Sequence, residues 1–171
     1  MTQPSDTGRS TQASQLINVP REAVYRAFIE PQAVALWLAP DNMKGRVDIL
    51  EPHEGGRFRM SLTYLDQKDR PRGKTSEDTD TSEGAFIKLV PNEKIVQVFE
   101  FESDQPDMAG KMKITWTLAD ADGGTEVTVF FEDIPKGIRL EDNELGSKQS
   151  LRKLAAFVEH DQHKVDSVHK K

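Results

Sequence analysis

Two tyrosines, two arginines and three histidines are the residues of this chain best placed to do chemistry. Tyr25 and Tyr64 each carry a phenol in an apolar stretch, where it could orient a polar ligand group or act as a weak acid. The plainer role is an amphipathic side chain with its tip in water. Arg57 and Arg59 share a strand face with Ser61 and Thr63, and paired guanidiniums can hold a carboxylate or phosphate. Their alternation with Phe58 and Met60 turns them instead towards solvent. His160 and His163 stand at helical spacing, with His169 beyond, but no acidic ligand accompanies them at a diagnostic distance. His53 beside Glu54 reads as a solvent-exposed pair. Asp41, Asp48, Glu100 and Glu102 become general bases only if buried. Nucleophile motifs, phosphate loops and dinucleotide fingerprints are missing. No catalytic residue, metal ligand or cofactor is therefore assigned.

A second set is apolar: Trp37, Phe58, Met60, Tyr64, Phe99, Trp116 and Leu154. These side chains either fill a core or line a ligand pocket, where methionine supplies adaptable contacts. Trp37 ends a short helix stopped by Pro40 and is expected near a pocket rim. Ser147 and Ser150 could face a cavity mouth, although helical polar surface accounts for them as well.

The elements that must position these residues follow from periodicity. Leu16 to Val19 reads as a first strand ending at Pro20, which is suited to begin a helix. Ala23, Val24, Ala27 and Phe28 recur at helical spacing. Pro31 interrupts that helix, and Gln32 to Leu38 forms another. The period then changes to two: Val47 and Ile49, then Phe58, Met60, Leu62 and Tyr64 after the Gly55-Gly56 turn. Asp66 to Glu83 is strongly polar and reads as a mobile hairpin loop. Strands resume over Gly84 to Val90, Lys94 to Phe101 and Lys111 to Leu118. Asp122-Gly123-Gly124 is a hairpin turn leading to Val127, Val129 and Phe131. Leu151, Leu154, Ala155 and Val158 mark one apolar stripe of a final helix that Asp142 or Asn143 can cap. One sheet with an apolar face needs a cover, and that helix is the large amphipathic element available.

The 171 residues fit one domain, expected over 11–160, between a disordered tail at 1–10 and a polar tail at 161–171. With 29 acidic and 23 basic side chains the net charge is −6. This argues against nonspecific affinity for nucleic acid or anionic membrane. There is no cysteine, which excludes disulfides, thiolate catalysis and cysteine-ligated zinc. No apolar run approaches a membrane span and no signal peptide is visible, so a cytoplasmic location is expected.

Taken in order, Val19-Pro20-Arg21-Glu22-Ala23-Val24-Tyr25, Trp37-Leu38-Ala39-Pro40, Glu54-Gly55-Gly56-Arg57-Phe58, Gly84 through Pro91, Lys94-Ile95-Val96 and Gly123 through Thr128 resemble a known family. It is the activator-of-heat-shock-protein-90-ATPase-like branch of the SRPBCC superfamily, which also holds START lipid-transfer domains and the birch-pollen allergen fold. The resemblance spans roughly residues 11–160. It departs at Gly146-Ser147, where the family often has Gly-Trp. It implies an α+β helix-grip fold: a curved antiparallel sheet around a long C-terminal helix, with two short helices between the first two strands. It also implies a cavity between sheet and helix that takes a lipid or polyketide-like molecule, the first functional expectation. A chaperone partner whose ATPase is stimulated is the second, and a cyclase- or hydrolase-like enzyme inside the cavity is the third.

Overall fold

The chain runs from one edge of a seven-stranded antiparallel sheet to the other before it fills in the middle. The computed structural model describes residues 8–39, 41–65 and 79–169, with backbone alone for 161–169. Strand β1 (Ser10–Ile17) is followed by helices α1 (Arg21–Ile29) and α2 (Pro31–Trp37). Then come β2 (Met43–Leu50), β3 (Arg57–Tyr64), β4 (Thr79–Val90), β5 (Lys94–Phe101), β6 (Lys111–Ala121), β7 (Gly124–Glu132) and helix α3 (Leu140–His169). The spatial order is β1-β7-β6-β5-β4-β3-β2. β1 and β2 are therefore opposite edges, and α1 and α2 span the crossing between them. Hairpins then return the chain strand by strand until β7 pairs with β1.

The breaks are local chemistry. The Pro20 carbonyl accepts from the Ala23 and Val24 amides to start α1. Glu30 is extended, as a residue before proline prefers, and this ends α1 and lets Pro31 open α2. Irregularities in pairing at Val47/Ile49 and Phe86/Lys88 bend their strands and add to the curl. α3 packs along β1 and against α1 and α2. Its Leu151, Leu154, Ala155 and Val158 stripe enters the core with Phe28, Val34 and the inward faces of the strands. The architecture is a helix-grip fold.

Several boundaries differ from those expected. β1 begins at Ser10, because small Thr11 and Ala13 face inward where larger apolar residues were sought. β4 begins at Thr79, so residues 79–83 of the expected polar loop are strand and pair with β3. The rest of that loop, 66–78, lies outside the described residues, as does Pro40. α3 starts at Leu140, ahead of both proposed caps, and its backbone continues to His169 through the expected tail. The His163 and His169 side chains fall outside the described residues, and His160 is exposed.

Candidate ligand site

The inward face changes character along its length. On β3 the inward residues run Phe58, Met60, Leu62, Tyr64. Opposite them on β4 stand Gly84, Ser82 and Asp80, paired with Phe58, Met60 and Leu62. The Phe58 end is aromatic. Gly84 also pairs with Phe99, and with no side chain between them the Phe58 and Phe99 rings meet edge to face at 5.1 Å. Phe86 joins the cluster 5.9 Å from Phe58.

Towards the two short helices, Phe28, Trp37 and Trp116 pack edge to face with ring centroids 4.8 to 5.4 Å apart. Such contacts add to simple burial. Both indoles have hydrogen-bond partners: Trp37 Nε1–H donates to the Ala27 carbonyl at 2.9 Å and Trp116 Nε1–H to Gln97 Oε1 at 3.1 Å. Trp37 is 1% exposed, so its expected place at a pocket rim is corrected. The seven-residue α2 lays its indole across α1 and β6 instead of ending at a surface.

The Tyr64 end is polar. Asp80 on β4 is 3% exposed. Half-buried Tyr64 lies near it and near Asp142 in the first turn of α3. Burial pushes the Tyr64 phenol above its ordinary 10.0, and the carboxylates of Asp80 and Asp142 push it the same way. The hydroxyl therefore keeps its proton through neutral pH and can donate. Thr11 on β1 donates through Oγ1 to Asn143 Oδ1, and Ser147 Oγ donates to the Asn143 carbonyl at 2.8 Å. Ser147 is buried and so is Ser150, whose hydroxyl donates to the Leu38 carbonyl at 2.7 Å. Neither serine belongs to a polar helix surface, the plainer expectation for them.

Of the seven predicted lining residues, Trp37, Phe58, Met60, Phe99, Trp116 and Leu154 are buried in one core, and Tyr64 sits at its polar end. Tyr25, at the other end near Glu54, is also raised above 10.0, first by burial and then by that carboxylate. Asp80 and Gln97 were missed as site residues. Gln97 was legible, since it interrupts Ile95-Val96-Gln97-Val98-Phe99 in phase with the inward residues. Asp80 was hidden in a run of Asp, Thr and Ser that reads as loop.

The outer face is organised differently. Arg59 contacts Asp48, Glu83 and Glu102, and Arg57 contacts Glu83. These acidic partners occupy both guanidiniums, in place of the anion expected as one alternative. An open trough of about 940 Å³ crosses this face, bordered by Arg59, Glu83, Ala85, Ile87, Val98 and Glu102. Among the described residues no group of His, Cys, Asp and Glu is arranged to hold a metal. Among the same residues no helix is long and apolar enough to cross a membrane.

Residues 18–159 match the family described as activator of Hsp90 ATPase homolog 1-like protein. The chain belongs to that family. Family membership agrees with the helix-grip architecture and with structural neighbours of the SRPBCC fold. Protein CV1439 from Chromobacterium violaceum shares 32% identity over 88% of this chain and 96% of its own, with a TM-score of 0.77. A protein from Rhodobacter sphaeroides shares 17% identity, with coverage of 91% and 95% and a TM-score of 0.72. The homolog 1-like protein from Aeromonas hydrophila shares 18%, with coverage of 90% and 94% and a TM-score of 0.66. The last two are evidence of a common fold alone. No curated protein sequence matches this chain.

Proposed function

We propose that this chain binds a small amphipathic molecule between the inward face of the sheet and α3. Its apolar part would lie against Phe58, Met60 and Phe99, within reach of Leu154, and its polar group would meet Tyr64 and Asp80. The observation that carries this reading is Asp80: a carboxylate 3% exposed on the inward phase of β4, beside a phenol that retains its proton. The apolar-to-polar change along one sheet face matches the two halves of an amphipath.

Native mass spectrometry of the protein as purified tests the proposal. A retained mass, displaced by the neutral dye Nile red, supports it, and Tyr64→Phe with Asp80→Asn should weaken dye binding about tenfold, the effect of losing one or two hydrogen bonds. A bare chain mass together with no dye binding overturns it. Family membership supplies a second reading, stimulation of a chaperone ATPase. Measuring that ATPase with and without saturating chain decides it, and an unchanged rate rejects it.

A further inference from the structure

We infer that residues 133–139, between β7 and α3, are a stopper for the polar end of the interior, strapped shut by Arg9, and that a ligand enters when this segment lifts. The inference rests on the interior site proposed above. The segment has neither helix nor strand structure, yet it carries two plugs into the core, Ile134 at 0% and Ile138 at 9% exposure. One side chain holds it: the Arg9 guanidinium donates to the carbonyls of Ile134 (3.4 Å), Pro135 and Ile138. The Arg9 carbonyl also accepts from the Ile134 amide at 3.1 Å. On the far side the Gly137 amide donates to the Asp107 carbonyl at 2.8 Å, in the turn between β5 and β6. The fit there is tight, since a Cβ on Gly137 would fall 2.8 Å from Met108 Cε and 2.9 Å from Asp107 Cβ.

This is the polar end of the inward face. The segment leads directly into Leu140 and Asp142, whose carboxylate acts on Tyr64. The β5–β6 connection begins at Glu102, whose amide donates to the Thr81 carbonyl beside Asp80. Because Phe58, Met60, Phe99 and Leu154 are buried, a ligand can reach them only if some element moves. Sheet and helices are held by cooperative ladders, whereas this segment has no helix or strand of its own and is tied across to Arg9 and Asp107. A segment outside such ladders can open locally without unfolding the sheet.

Hydrogen exchange of the full chain tests the strap. In Arg9→Met the amides of 134–139 and 107–110 should exchange at least about tenfold faster than in the unaltered chain, with β5 and β6 unchanged. Gly137→Ala, which crowds Met108, should do the same from the other side. Nile red should associate faster with both variants in stopped flow. Unchanged local exchange with normal dye binding would remove the strap and leave the interior site. A uniform rise across the sheet would also overturn it, because Arg9 would then support the whole fold. Fast local exchange with no dye binding to any of the proteins would remove the interior site and the entry role together.

Discussion

The two ends of the inward face are held by different forces. At the aromatic end Phe28, Trp37 and Trp116 interlock, and Phe58 and Phe99 touch across Gly84, so shape and apolar burial hold the structure. At the other end Tyr64, Asp80, Thr11, Asn143 and the Arg9-bound segment meet through hydrogen bonds and charge. The first end holds its shape by packing, and the second is where the proposed ligand contacts and the proposed opening fall. Packed aromatics lose energy steeply when disturbed, whereas a polar set can exchange partners with a ligand or water at little net change.

The largest expected effect lies at the aromatic end. Trp116→Ala removes two ring contacts and the donor to Gln97 and should cost about 3–5 kcal/mol, read from urea unfolding. A comparable loss from Tyr64→Ala would erase the distinction between the ends. Gly84→Ala comes next, at about 1–3 kcal/mol in the same measurement. Its Cβ would sit 1.7 Å from the Val98 carbonyl oxygen, so the paired backbones beneath the two phenylalanines would have to shift. A neutral outcome would mean that the backbones at Gly84 and Val98 do not need that close approach.

At the polar end the expected effect is a pH dependence. The Tyr64 phenol titrates above 10.0 in the folded chain. Below that pH both folded and unfolded states keep the proton and the contribution is fully present. As pH rises past 10.0 the unfolded chain ionises first, and stability falls until the folded phenol ionises too. Tyr64→Phe should flatten this alkaline decline in urea midpoints measured as pH rises past 10.0. An identical slope in the variant would show that Tyr64 plays no part in it. Smallest is the outer face. Arg59→Gln breaks exposed ion pairs with Glu83 and Glu102 and should shift the melting temperature barely at all, less still at high salt. A large, salt-resistant shift would move the balance of stability outward.

Much of the fold was legible along the chain because alternation is strict where one face is buried and the other wet. Arg57–Tyr64 and Lys111–Leu118 carry clean period-two patterns; the first strand has those bounds and the second runs on to Ala121. The prolines at 20 and 31 mark the two short helices because ring geometry acts locally, whatever the rest of the chain does. Less of the candidate site was legible. Asp80 lies in a polar run, and only pairing of Thr79–Glu83 with β3 turns it inward. Trp37 looked like a rim residue from its position at a helix end, but α1 and β6 close over it.

Local sequence settled which residues share a face, where helices begin and that one amphipathic helix must cover one sheet, since backbone geometry and apolar periodicity act over a few neighbours. Tertiary structure alone decided that Arg9 reaches Ile138, that Gly84 lets Phe58 meet Phe99, and that Asp80 and Asp142 converge on Tyr64. Those groups are dozens of residues apart or on different strands. Their meeting depends on sheet order and curvature, which arise only when all the hydrogen-bonded ladders and the buried faces are satisfied together.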